Sequence, residues 1–215
     1  MATKVLIVDD HPAIREGLAG HIASQRDLEV CGQAADTAEA MRLLDSDRPD
    51  VVVVDIQLET GSGLELVERI NARDDSIGIL VWSTYSDAIY AQRALRAGAL
   101  GYINKRQASS QIVEAIRRVR DGRIYLGEET AEQLLGRAVG RGRQLEVAGV
   151  ECLSNRELEV FRLIGQGLTT SEVAGRLHRS VSTVESHREK IKNKLGLKTA
   201  GELSRAAVQW VLENG

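Results

Sequence analysis

Aromatic side chains are scarce in this chain: they make up 3% of its 215 residues, and Phe161 is the sole phenylalanine. Any core must therefore be aliphatic, which a hydrophobic fraction of 43% can supply. Cysteine is nearly as rare. Cys31 and Cys152 stand far apart in no close-spaced pattern, which argues against a zinc site and for a reducing compartment, with both as ordinary structural thiols. No apolar stretch approaches the roughly 18 to 20 residues needed to cross a bilayer. The opening segment reaches Asp9 and Asp10 too soon to read as a secretory signal. A cytosolic location is the expectation, and 215 residues suit two domains better than one.

Excess charge is small, at −3, but it is unevenly spread. Residues 1–121 carry 14 basic and 19 acidic side chains, residues 122–150 carry four of each, and residues 151–215 carry 10 basic and eight acidic. A polyphosphate partner attracts Lys and Arg and repels carboxylates, so the tail is the better candidate for nucleic acid. Clustering says more than the sum: Arg188, Lys190, Lys192, Lys194 and Lys198 lie within eleven residues.

The first part alternates short β-branched runs with helical periodicity. Strands are expected near 4–9, 28–33, 50–55, 77–82 and 100–104, and helices near 12–23, 36–46, 63–72, 87–96 and 109–120. This predicts an α/β domain over 1–121, a five-stranded, parallel, doubly wound sheet. Residues 122–149 are glycine-dense and read as a linker with a short helix near Glu128 to Leu135 and a basic pair, Arg141 and Arg143, in solvated chain.

Asp9, Asp10, Asp55, Ser83 and Lys105 each stand where an apolar run ends. In an open parallel sheet, ligands bind outside the carboxyl ends of the strands, so these groups are expected to meet in one crevice. Closely spaced carboxylates stay ionised only with positive charge among them. Magnesium suits that need, with Asp10 and Asp55 as direct ligands, Asp9 acting partly through water, and the Gln57 backbone carbonyl completing the set. Asp55 would attack a phosphoryl group, whose oxygens Lys105 and the Ser83 hydroxyl would hold with the metal. The blander reading is that the aspartates cap helices or bind a structural cation. A dinucleotide fold is disfavoured, because Val8-Asp9-Asp10-His11 contains no glycine. His11, His21 and His178 show no metal-like spacing and read as structural or surface residues.

From residue 150 to the end a small all-α domain of four helices is expected. Ser or Thr followed three residues later by Glu, a pairing that satisfies backbone donors at a helix start, occurs as Ser154 with Glu157, Thr169 with Glu172, Ser182 with Glu185, and Thr199 with Glu202. Gly167 and Gly196 stand where the first and third helices should stop. The second and third helices flank a short turn near His178 to Ser180, as in a helix-turn-helix. On the third, Val184, Ile191 and Leu195 form an inward stripe, which leaves Ser182, Thr183, Glu185, Ser186, Glu189 and Lys190 for the surface. Candidate DNA contacts are these surface residues with Thr169, Thr170, Arg179, Arg188, Lys194 and Lys198. Glu185 is either the capping partner of Ser182 or an acceptor for a cytosine amino group. His187 either packs on the scaffold or contacts phosphate.

The doublet Asp9-Asp10, the Asp55 strand, Ser83, Tyr102 and Lys105 resemble the receiver domain of bacterial response regulators, over residues 3 to 121. The segment from Leu153 to Thr199, with Thr183-Val184 followed by His187, resembles the LuxR-type helix-turn-helix. Together they are similar to the NarL/FixJ class. The resemblance implies a histidine kinase as phosphoryl donor and Asp55 as acceptor. It also implies Ser83 and Tyr102 as the switch, and double-stranded DNA bound by a homodimer through the last helix. Trp210 and Val211 would serve either that dimer contact or the domain core. The chain departs from the family in three places: Arg106 and Glu59 stand where proline is usual, and Glu185 where lysine is. Gln57 and Tyr85 hold positions that tune acyl-phosphate hydrolysis in the family. No enzyme activity beyond self-phosphorylation from phosphodonors and self-dephosphorylation is implied. Two rivals remain: a regulator that binds DNA irrespective of phosphate, and a signalling adaptor whose tail binds protein.

Overall fold

A computed structural model describes residues 2–84, 88–106, 109–138 and 149–214; Tyr85, Arg141 and Arg143 lie outside the described residues. The chain divides into two compact units, Met1–Leu135 and Gly136–Gly215.

The first unit is α/β. Strands β1 (Thr3–Val8), β2 (Leu28–Ala34), β3 (Val51–Val54), β4 (Gly78–Ser83) and β5 (Gly101–Asn104) alternate with helices α1 (Pro12–Ala23), α2 (Thr37–Asp47), α3 (Gly63–Arg73), α4 (Ala88–Arg96) and α5 (Ser109–Arg120). Every pairing is parallel, in the order β2-β1-β3-β4-β5, so the order reverses between β1 and β3. The β-branched runs are buried on both faces: Val5 to Ile7 and Val51 to Val54 are at most 1% exposed. That is why the strands read as continuous apolar runs rather than alternating ones. Leu18 and Ile22 from α1 and Ile112, Ile116 and Val119 from α5 join them in one aliphatic core.

The sheet has six strands where five were expected. After α5, Gly122 turns the chain with φ +71°, and Tyr125–Leu126 (β6) adds a parallel edge beside β5. The apolar run between Gly122 and Gly127, Ile124 to Leu126, is too short to read as a strand in sequence. Helix α6 follows at Glu128–Ala138, longer than the short helix expected there.

The second unit is all-α. A 3₁₀ turn, Val150–Cys152, precedes α7 (Asn155–Gly165), α8 (Thr170–Arg176), α9 (Val181–Leu195) and α10 (Ala200–Asn214). Ser154 and Thr169 form full capping boxes with Glu157 and Glu172. Phe161 and Trp210 meet at 5.9 Å between ring centroids, so Trp210, 4% exposed, belongs to the core. Among the described residues no helix is long and apolar enough to cross a membrane.

Candidate functional site

Backbone hydrogen bonds carry the first site past the ends of the strands. The Asp55 N–H donates to Val8 O at 2.8 Å, which sets Asp55 beside Asp9, and the Asp9 N–H donates to Ala34 O at 3.1 Å. The Lys105 N–H donates to Ser83 O at 2.7 Å, extending the β4–β5 ladder by one residue. Asp9 and Asp55 thus flank the reversal in strand order, where a crevice is expected.

Side chains then converge. Lys105 Nζ donates to Asp55 Oδ2 at 2.7 Å and also to Asp9 Oδ2. The three side chains are nearly sealed from water, at 7%, 4% and 1% exposure for Lys105, Asp55 and Asp9. Trp82 holds the lysine from one side, its ring centroid 5.3 Å from Nζ, a cation–π contact. The Gln57 N–H donates to Asp55 Oδ1 at 3.2 Å, and the His11 N–H donates to Asp9 Oδ1 at 2.8 Å. Arg15 Nη1 reaches the Asp9 carbonyl at 2.6 Å. Ser83 and Tyr102 are both fully buried, at 0% exposure. The peptide after Lys105 is trans; there are no cis bonds among the described residues. The Arg106 N–H is held there by Asn104 Oδ1 at 2.8 Å.

Three carboxyl groups face one ammonium. Burial drives the Asp55 carboxyl up to about 6, against the opposing charge and hydrogen bond of Lys105, with Asp9 adding to the rise. At neutral pH Asp55 is still ionised, and the cluster has more negative than positive charge. Asp10 Oδ1 is buried and accepts no hydrogen bond, although His11 Nδ1 approaches to 2.6 Å. One donor atom from each of Asp9, Asp10, His11 and Asp55 lies within 4.8 Å of the others. Donor atoms gathered this closely, one of them a buried oxygen that accepts no hydrogen bond, fit a divalent cation. His11, expected as a structural or surface residue, is 58% exposed, and its imidazole stands at the edge of this group. Adjacency to the Asp9-Asp10 doublet was the available signal.

In the second unit, α8 and α9 flank the turn at 177–180. Helix α9 is capped by Ser180, whose Oγ accepts the Thr183 N–H at 3.1 Å. This corrects the expected Ser182–Glu185 box. Ser180 already satisfies the Thr183 N–H, so Ser182 falls inside the first turn, and Glu185 lies 3.6 Å from Arg188 Nε instead. Val184 and Ile191 point inward, fully buried, while Leu195 is half-buried. Ser182, Glu185, Ser186, Glu189 and Lys190 are exposed on the outer face, and Thr183 and Arg188 are half-buried. Thr169, Arg179 and Lys198 are exposed and Thr170 half-buried. Lys192 pairs with Glu189 at 2.7 Å. His187 is half-buried, and burial pulls its imidazole below the ordinary value, consistent with a scaffold position.

Lys194 stands apart from that face. Its ammonium donates to Glu157 Oε2 at 2.7 Å and to Cys152 O at 3.2 Å, tying the end of α9 to the start of α7. Burial resists ionisation of Glu157, but Lys194 and the Ser154 N–H outweigh it and hold the carboxyl below its ordinary 4.5. A value depressed by folding stabilises the fold above the unfolded value, and that gain disappears as pH falls through the folded one. Glu157→Gln should therefore cost about 1 kcal/mol at neutral pH, a low figure because Lys194 is 40% exposed. The gap between wild type and variant should shrink as acid protonates Glu157, read from urea midpoints at neutral and acidic pH. A gap that persists in acid would contradict the assignment.

Two family models match the chain: the response regulator receiver domain over residues 5–117 and the bacterial regulatory proteins of the luxR family over residues 151–207. The oxygen regulatory protein NreC of Staphylococcus aureus is 36% identical over 211 residues, spanning 96% of this chain and 97% of its own. A LuxR-family two-component response regulator from Aurantimonas is 32% identical with a TM-score of 0.62, over 65% of this chain and 99% of its own. RcsB from Salmonella enterica serovar Typhimurium, solved on a promoter, shares the fold with a TM-score of 0.65 at 24% identity, over 95% and 98% of the two chains. A receiver domain implies a histidine kinase as partner, and a LuxR-type domain is one that binds DNA; proteins so built are regulators, not classical enzymes. The chain thus belongs to the two-component response regulators of NarL/FixJ type, a receiver joined to a LuxR-type DNA-binding domain, and it acts as a transcription regulator.

Proposed function

We propose that Asp55 is the residue phosphorylated by the kinase, and that its phosphorylation promotes a homodimer that binds double-stranded DNA. The observation that carries this reading is the bridge from Lys105 Nζ to Asp55 and Asp9, with Asp10 alongside. An Asp55 carboxylate oxygen bonds to phosphorus as the donor's leaving atom departs with its electron pair, giving an acyl phosphate. Lys105 and the Ser83 hydroxyl bind the new phosphoryl oxygens, and Tyr102, on β5 between β4 and β6, follows the Ser83 movement. Magnesium, held by Asp9, Asp10, Asp55 and the Gln57 backbone, would neutralise charge on the transferring group. The same site accepts small phosphodonors and hydrolyses its own acyl phosphate. The protein works in the cytoplasm, between the kinase and its promoter.

Incubation with acetyl phosphate and magnesium should add one phosphoryl group to the intact mass of the full chain, and Asp55→Ala should abolish the gain. No addition to wild type, or equal addition to the variant, would remove the switch. Labelled and unlabelled protein with equal affinity for DNA would leave a regulator indifferent to phosphate.

On the DNA side, Ser182, Glu185 and Ser186 face base edges, while Arg179, Lys190 and Lys198, with Thr169 at the start of α8, meet the phosphates. Binding of the phosphorylated chain to duplex DNA should weaken steeply with salt, and Lys190→Ala should reduce the slope by about 1. Glu185 and Glu189 are 52% and 62% exposed on the same helix, which keeps a protein-binding adaptor in view. A salt-independent or absent DNA signal would select the adaptor.

A further inference from the structure

The imidazole at the mouth of the carboxyl cluster is not used by anything derived above. His11 immediately precedes Pro12, which opens α1, and it is itself extended, with φ −88° and ψ 110°. A residue before proline is confined to that region, so this backbone is fixed by the chain's own chemistry. The His11 N–H is also tied to Asp9 Oδ1 at 2.8 Å, which locks the loop to the cluster. Nδ1 then stands 2.6 Å from Asp10 Oδ1 and 3.4 Å from Asp9 Oδ1. Yet Asp10 Oδ1, buried, accepts no hydrogen bond from it. Both atoms face one small space, where either a proton or a metal ion can join them.

The span agrees. Ligands across one octahedral ion stand about 4.2 Å apart, twice a bond of about 2.1 Å, and neighbouring ligands about 3 Å. One atom from each of Asp9, Asp10, His11 and Asp55 lies within 4.8 Å of the others, so an inward shift of about 0.6 Å closes the set around an ion. The ring is 58% exposed, so it meets an arriving ion before the buried carboxylates do. Ligand type then decides preference: oxygen donors suit magnesium, whereas an imidazole nitrogen adds affinity for manganese, cobalt and zinc and little for magnesium.

We propose that His11 Nδ1 is a ligand of the carboxylate site, so that the receiver binds first-row transition dications ahead of magnesium. This rests on the reading of Asp9, Asp10 and Asp55 as metal-binding residues and adds the selectivity of that site.

Manganese is the probe, because its electron spin reports nitrogen bound directly to it. The full chain, titrated with manganese and examined by electron spin-echo modulation, should show coupling to one nitrogen, and His11→Ala should lose it. In calorimetric titrations His11→Ala should bind manganese at least about tenfold more weakly while keeping wild-type affinity for magnesium. Manganese bound without nitrogen coupling in wild type, or with coupling that survives His11→Ala, overturns the role of His11 and leaves the phosphorylation site intact. A chain that binds neither ion overturns both readings. The variant changes an exposed side chain, so its circular dichroism should match wild type.

Discussion

Alanine at position 63 is expected to cost the receiver about 3 kcal/mol, the upper end for forcing extra atoms into a filled interior. A Cβ at Gly63 would lie 1.9 Å from the Asp55 carbonyl oxygen and 2.7 Å from Ile56 Cα. Both are backbone atoms, so neither can swing aside as a side chain would. The contact is fixed from the other side too, since the Gly63 N–H donates to Ile56 O at 3.1 Å. Relief requires moving either the start of α3 or the segment that carries Asp55. The first outcome loosens the unit, and the second misplaces the Asp55 carboxylate. Domain stabilities run to roughly 5–15 kcal/mol, so such a loss should show as a large drop in the denaturant midpoint of the first unit. Labelling by acetyl phosphate should fall with it. A variant that unfolds and labels like wild type would mean that helix and strand have slack that the contact distances deny.

The second large effect concerns Lys105. In metal-free buffer it supplies the positive charge between two nearly sealed carboxyl groups, 1% and 4% exposed. Removing one partner of a buried ion pair costs about 3–5 kcal/mol, because the remaining charge has neither water nor counterion. Lys105→Met keeps the length of the stem and its contact with Trp82 while deleting the ammonium, which isolates the electrostatic part. Asp55 can take up a proton in response, its carboxyl already lying near 6, so about 3 kcal/mol is the expected loss in chelator. Magnesium should then restore more stability to the variant than to wild type, since in wild type the ion must compete with the ammonium for the same oxygens. Thermal unfolding of both proteins with chelator and with excess magnesium measures the difference. Equal stability in chelator would show that the ion pair contributes nothing net. On the proposed role of Lys105 in holding the phosphoryl oxygens, any phosphorylation-dependent gain in DNA binding should be lost in Lys105→Met.

Much of this molecule was readable before its coordinates, for reasons that differ by region. Strands β1, β3, β4 and β5 are legible because they are buried on both faces and spell runs such as Val51 to Val54, whereas β2 at the sheet margin is half-buried along most of its length. The aspartates and Lys105 were legible because chain direction in a parallel sheet sends every strand end to one edge. Ser154 and Thr169 announce their helices because each has a glutamate three residues on, and both pairs close full capping boxes. The start of α9 was misjudged because Ser180, Ser182 and Thr183 all qualify as caps, and only tertiary context selects Ser180. Lys194 looked like part of a basic run, and its pairing with Glu157 across 37 positions has no local signature. Spacing among histidines and cysteines carries no signal for His11, because its neighbours in the cluster are carboxylates.

The short strand β6 has a practical consequence. Gly101 and Tyr102 are paired with Tyr125 and Leu126, so half of β5 is shielded on its outer side by chain that follows α5. A receiver excised after Asp121 would bare those peptide groups and leave an unprotected sheet margin, the kind of surface that recruits other chains and precipitates. Fragments prepared for crystallisation or spectroscopy should therefore retain the chain through Gly127.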